Sequence, residues 1–321
     1  MMDTTSLIYS IIGAIGCSTN GFAIFILFNL QNRFSTTNLL ILNQCFIDLF
    51  ASLMSLCLFL DPHLMTRLPE SNVAAEFICK FWSSKYIFWS TTYGSTANLV
   101  VLTFDRYFAV IYHLKYNIFK EKLRMKVLLL LIPWICGFGF IFMWLMVHTV
   151  KNGECIQIWP SVGYQKTFGL LCGVYILVIP ISVMLFVYFN IFRALRRRVG
   201  DGSSAVSDNS AARRLNIIKT MLIVGVTYVI CWTPNEMVFI NFTLGGAFYF
   251  NGPSYYITVA LALCNICINP IIYTFKYQDF QKGMQKTVPC FKRIYSLPCL
   301  KSESISNNAV QLGTVSTNVV P

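Results

Sequence analysis

Ser254 to Phe275 reads SYYITVALALCNICINPIIYTF, a run without one charged side chain. As an α-helix it would extend about 33 Å at 1.5 Å per residue, enough to cross the ~30 Å hydrocarbon layer of a bilayer. Asn265, Asn269 and Pro270 nevertheless sit inside it, and polar groups in hydrocarbon need partners. Asn265 and Asn269 are four positions apart and so share one helical face. The run therefore reads as a helix with lipid on one side and a polar interior on the other.

Working outward, apolar runs of similar length recur near 7–30, 37–60, 82–112, 127–149, 168–194 and 217–244. With 254–275 they make seven. The chain is 56% hydrophobic and 12% charged, where soluble domains carry about 25% charged residues. The expected fold is all-α, a seven-transmembrane helix bundle. Its parts are a short extracellular N-terminus (1–6), the bundle (7–275), a short amphipathic helix on the membrane surface (276–289) and a disordered cytoplasmic tail (290–321). Phe280 and Met284 alternating with Lys282 and Lys286 suit that surface helix. No cleaved signal peptide is expected, and Val199 to Ala212 reads as a flexible linker.

The net charge of +12 does not indicate nucleic acid, because the basic residues lie in short segments between apolar runs. Arg67, Lys80, Lys85, Lys151 and Lys166 fall on one side and the other 20 of the 25 Lys and Arg on the opposite side. The positive-inside rule then puts the N-terminus outside and the tail in the cytoplasm. His63, His113 and His148 fall near span ends, so an intramembrane enzyme lacks its base. Neither broken-helix repeats nor charged rings suggest a transporter or channel.

Asn20, Asn43, Asp48, Ser95, Asn98, Asn265 and Asn269 occupy the apolar runs. They could form one inward polar seam, or merely hydrogen-bond helices together. Asp48 demands more, because a mid-membrane carboxylate needs a cation, a proton or several donors. Pro234 removes a backbone bond and should kink the sixth span, with Trp232 two residues before it.

Asp105-Arg106-Tyr107 ends the third span, Cys231-Trp232-Thr233-Pro234 lies in the sixth and Asn269-Pro270-Ile271-Ile272-Tyr273 in the seventh. With Asn20, Asp48, Trp134 and Pro180 also in place, residues of about 10–290 resemble the rhodopsin-like (class A) G-protein-coupled receptors, nearest to peptide-type or orphan members. The resemblance implies a plasma-membrane receptor that turns an extracellular ligand, on this reading a peptide, into activation of a heterotrimeric G protein. The alternative is a constitutively active receptor without a peptide ligand. Arrestin binding through the Ser/Thr-containing tail and contact with membrane lipid also follow.

By the same resemblance, Asp105 holds Arg106, and Tyr188 and Tyr273 swing toward Arg106 on activation, with Tyr107, Trp232, Pro234, Asn269 and Pro270 completing the switch. Asp48, Ser95, Trp232, Asn265 and Asn269 would surround an allosteric sodium ion, so that Asp48→Asn abolishes sodium sensitivity; no other cofactor is expected. Cys79 and Cys155 would form a disulfide. Cys79 lies two residues further from Arg106 than is usual in the family, which predicts a bulged or longer outer end. Cys290 is a palmitoylation candidate.

Phe88 and Leu263 replace the acid of amine receptors and the Lys of opsins. Glu236, one turn beyond Trp232, should face an upper cavity together with Lys85, Phe88, Trp89, Tyr93, Tyr255 and Tyr256. One acid among aromatics fits a peptide with a basic or amidated end, although Glu236 could equally pair with Lys85. His113 stands where the family has proline, and Arg214 where many members have an acid that would hold Arg106. Raised basal activity is the expectation.

Overall fold

The computed structural model of the chain describes residues 4–60, 68–119, 122–200, 208–246 and 252–288. Cys290 and the tail lie outside them. The first two spans are α1 (Thr4–Phe28) and α2 (Thr36–Leu60). The third is α4 (Tyr86–Ile111), entered through α3 (Asn72–Ile78), which lies outside the span, and a π-helical turn Cys79–Ser83. A short α5 (His113–Phe119) leads to the fourth span, α6 (Leu123–Met146). A hairpin of β1 (His148–Lys151) and β2 (Glu154–Gln157) follows. The fifth span is α7 (Val162–Gly173), a second π-helical turn Val174–Val178 and α8 (Ile179–Gly200). The sixth is α9 (Asp208–Thr243), the seventh α10 (Pro253–Lys276), and α11 (Gln278–Thr287) closes the described chain.

Six of the spans are long and apolar enough to cross a membrane. The third is not among them, and its chemistry explains why. Ser90, Thr91, Thr92, Ser95, Thr96, Asn98, Thr103, Asp105 and Arg106 are all buried on α4. That helix is the axis of the bundle, covered by α2, α6 and α8, so its polar groups meet protein rather than lipid. Phe25, Ile135, Leu185, Phe189 and Ile230 are exposed on the outer spans, as lipid-facing positions require.

Close helix approach depends on small residues. A Cβ added at Gly137 would run into the Ser90 carbonyl and the backbone of Gly94, which lets α6 lie directly on α4. On the other side of the bundle Asn20 Nδ2 donates to the carbonyls of Gly16 (2.9 Å) and Ile266 (2.8 Å), tying α1 to α10.

The expected excess length at the end of the third span is taken up by the π-helical turn and by Lys85, whose φ of 58° breaks the helix before Tyr86. Trp144 Nε1 donates to the Ser84 carbonyl at 2.8 Å and supports this break. The hairpin was not foreseen. Asn152 and Gly153, both at positive φ (53° and 79°), make its two-residue turn and set Val150 opposite Cys155. Cys155 is disulfide-bonded to Cys79, Cα to Cα 5.3 Å. Glu76 Oε1 accepts from Thr149 Oγ1 (2.7 Å) and the Val150 N–H (2.9 Å), so α3 grips the same hairpin twice. The Val150 and Thr149 donors hold the Glu76 carboxyl below its usual value.

At the opposite end Phe280 and Met284 of α11 are buried in the cluster that contains Ile26 of α1 and Leu30 just beyond it. Tyr277 Oη donates to Asn38 Oδ1 at 2.6 Å, and Thr220 Oγ1 donates to the Lys276 carbonyl at 2.9 Å. The start of α11 is thereby fixed to α2, and α9 to the end of α10.

Candidate functional site

Three layers of the bundle carry the residues singled out from the sequence. At the end away from the disulfide, Asp105 Oδ2 accepts from Arg106 Nη2 (2.6 Å) and Nε (3.2 Å) and from Thr37 Oγ1 (3.0 Å). Its Oδ1 accepts from Tyr116 Oη at 2.7 Å. Burial and the adjacent Asp105 carboxylate push the Tyr116 phenol far above its ordinary value, which keeps it a donor. Arg106 is buried and turned onto its neighbour. Tyr273 is fully buried beside Tyr277, their rings 6.4 Å apart, and Tyr188 packs against the same core. Thr37 and Tyr116 were not anticipated, since a hydroxyl at a span end gives no sequence signal of its partner.

The middle layer centres on Asp48, which is fully buried. Ser95 Oγ donates to its Oδ1 at 2.7 Å. Gln44 Nε2 (3.0 Å) and Asn269 Nδ2 (3.1 Å) donate to its Oδ2. The structure thus brings Asp48, Ser95 and Asn269 together as expected and adds Gln44, one turn before Asp48 on the same face. That spacing was the available signal. Asn265 is buried, but the hydrogen bonds that reach the carboxylate come from the other three. Trp232 is also buried, with its ring 6.3 Å from that of Tyr228 and its Nε1 without a hydrogen-bond partner among the described residues.

Behind this layer a second contact was missed. Tyr228 Oη donates to the Ile176 carbonyl at 2.8 Å and lies 3.0 Å from Thr96 Oγ1. It joins the third, fifth and sixth spans.

Toward the disulfide end the helices part around a cavity of 370 Å³. Lys85, Trp89, Tyr93, Trp232, Glu236 and Tyr255 line it, with Trp144, His148 and Phe239. Phe88 and Tyr256 do not, which corrects their expected place in the pocket. Phe88 packs with Leu263 and Tyr9, and Tyr256 lies against that cluster with its carbonyl accepting from Tyr9 Oη at 3.0 Å. The cause is rotation along α4 and α10: Phe88 and Tyr256 fall on the faces turned toward α1. Glu236 is 3% exposed, and its Oε1 has no hydrogen-bond partner among the described residues.

A buried ionic clamp at one end, a polar core and a cavity at the other define a helical transmembrane receptor, in which an event at one face is transmitted to the opposite face. Residues 19–273 match the family described as 7 transmembrane receptor (rhodopsin family), and the chain belongs to that family. It is a multi-pass membrane protein and a G-protein-coupled receptor. It is similar to galanin receptor 2a of Danio rerio, 27% identical over 89% of this chain and 78% of that one. It is also similar to the histamine H2 receptor of Homo sapiens (26%, over 74% and 66%) and the allatostatin-A receptor of Bombyx mori (23%, over 88% and 79%).

Proposed function

We propose that the receptor lies in the plasma membrane with the Cys79–Cys155 end outside and the Asp105 end in the cytoplasm, and that it binds a peptide through a basic or amidated end. The observation that carries this is the buried Glu236 oxygen at the cavity wall, which has no hydrogen-bond partner among the described residues. A buried carboxylate oxygen is costly unless something donates to it, and a cationic or N–H-rich ligand group supplies that donor. Trp89, Tyr93 and Tyr255 add aromatic faces that favour a cation within about 6 Å. Relatives named for galanin and allatostatin-A favour a peptide over the amine named in the histamine receptor. Phe88 agrees, since the resembling amine receptors carry an acid there.

Ligand seated on Glu236 and Trp232 would shift α9 about Pro234, where the helix lacks one backbone hydrogen bond, part the helices near Arg106 and free that side chain for the G protein. Tyr107, Tyr188, Asn269, Pro270 and Tyr273 complete this switch. Arrestin would read the phosphorylated Ser/Thr tail, and a palmitoyl chain on Cys290 would hold α11 to lipid. The test is a G-protein activation screen of the expressed receptor against basic and amidated neuropeptides, with Arg106→Ala as the silent control. A hit should lose about tenfold or more in potency on Glu236→Gln. A hit of equal potency on the Glu236→Gln receptor would remove Glu236 from recognition.

A further inference from the structure

The amides around Asp48 form one directed chain. Trp134 Nε1 donates to Asn43 Oδ1 at 3.0 Å. Asn43 Nδ2 donates to Asn98 Oδ1 at 3.0 Å. Asn98 Nδ2 donates to Gln44 Oε1 at 2.8 Å. Gln44 Nε2 then donates to Asp48 Oδ2 at 3.0 Å and to Ser95 Oγ. The chain links the fourth, second and third spans and ends on the carboxylate.

Its direction is fixed by chemistry rather than by the choice of which amide atom is oxygen. An indole N–H can only donate, so Asn43 must turn its oxygen to Trp134 and its nitrogen to Asn98. Backbone carbonyls can only accept, and two of them set the same polarity: Asn43 Nδ2 also donates to the Leu130 carbonyl (3.2 Å) and Asn98 Nδ2 to the Leu40 carbonyl (3.0 Å). Asn98 therefore presents N–H to Gln44, which must answer with its oxygen. What remains to face Asp48 and Ser95 is the Gln44 N–H pair.

The sodium ion implied by the family resemblance does not fit this donor set. A hard cation needs oxygen lone pairs converging on it. Here the Ser95 hydroxyl gives its proton to Asp48 and accepts from Gln44, and the Asp48 oxygens accept from Gln44, Ser95 and Asn269. Turning Gln44 over would set its nitrogen against that of Asn98, and the strain would pass back to Trp134, which cannot reverse.

We infer that the Gln44 amide takes the place of a cation at Asp48, so that a neutral hydrogen-bonded chain anchored on Trp134 holds the resting core and makes the receptor indifferent to sodium. Gln44 is the specificity-determining residue, because an apolar side chain there would leave the Asp48 and Ser95 oxygens open to an ion.

The purified full-length receptor is melted in sodium chloride and in choline chloride at matched ionic strength. The wild-type melting temperature should be the same in both salts. A saturable stabilisation by sodium alone overturns the inference without any variant. Gln44→Leu should acquire a sodium-specific rise of about 3 °C, and the further change Asp48→Asn should remove it. A Gln44→Leu receptor that folds but melts alike in both salts overturns the assignment to Gln44. If Gln44→Leu cannot be purified, Gln44→Met carries the same comparison.

Discussion

The Tyr228 hydroxyl donates to the Ile176 carbonyl at 2.8 Å, in the middle of the π-helical turn Val174–Val178. A π turn displaces carbonyls from the regular helical ladder, and this one is met by a side chain from another span. Thr96, 3.0 Å from the same hydroxyl, ties in the third. Activation that moves α9 relative to the fifth span must stretch or break this contact.

Tyr228→Phe keeps the ring and removes the hydroxyl. A neutral hydrogen bond contributes about 1 kcal/mol net. If the bond belongs to the closed arrangement alone, the closed-to-open ratio falls roughly fivefold. Ligand-independent G-protein activation, normalised to surface expression, should rise accordingly, and Thr96→Val should reproduce part of the rise. Unchanged basal signalling in both variants would show that the contact persists through activation.

Seven spans were legible because apolar runs of membrane length survive even where Asn265, Asn269 or Asp48 interrupts them. The convergence of Asp48, Ser95 and Asn269 was legible too, because helical spacing fixes which face a residue occupies. Gln44 escaped notice although it lies one turn from Asp48, since a glutamine in an apolar run has several ways to be satisfied. The hairpin was passed over although Asn152-Gly153 at its turn is a local signal, and the extra length before Arg106 announced an irregular outer end of the third span; the π turn Val174–Val178 in the fifth has no such signal, and the Ile176 carbonyl within it is met by Tyr228 from far along the chain. Phe88 and Tyr256 were misplaced because neighbours in sequence, here Trp89 and Tyr255, point about 100° apart on a helix.

Gly137 is set by contact rather than by turn geometry. The Ser90 carbonyl and the Gly94 backbone lie where a side chain would begin. Gly137→Val should push α6 off α4, with a cost of about 1 to 3 kcal/mol or more for overpacking. Reduced surface expression and a melting temperature several degrees lower are expected, whereas Gly139→Val, where a Cβ meets nothing within 4 Å, should behave as wild type. Equal losses from both would argue that helix propensity, not packing, is responsible.

Glu76 links the hairpin to pH. Its carboxyl is held below the ordinary 4.5, first by the Val150 N–H and then by the Thr149 hydroxyl. A carboxyl lowered on folding stabilises at pH above its unfolded value and loses that contribution as pH falls through the lowered one. Hydrogen exchange at the Val150 amide should therefore speed up as pH is taken from about 6 to about 3, relative to an amide of α6. Glu76→Gln should show the fast exchange at every pH, since it no longer offers a charged acceptor. A Val150 amide equally protected in Glu76→Gln would mean that the disulfide alone holds the hairpin.

Arg106 is restrained through Asp105, whose carboxylate is in turn held by Thr37 and Tyr116 from two other elements. Arg214 stands where many members of the resembling family have an acid on the sixth span, so on the proposed reading the restraint on Arg106 falls to this four-residue cluster. Tyr116→Phe removes a charge-assisted bond, worth about 1.5 to 3 kcal/mol in favourable settings. The Asp105 carboxylate is then held in place by fewer contacts, and Arg106 is held less firmly with it. Basal signalling should rise about tenfold or more, to the ceiling set by full activation. Thr37→Ala should act in the same direction, and the double variant should fall short of the product, because both act through one carboxylate. Adding Arg106→Ala to either should silence the receptor. Basal signalling that stays at the wild-type level in the double variant would show that Asp105 does not hold the resting state.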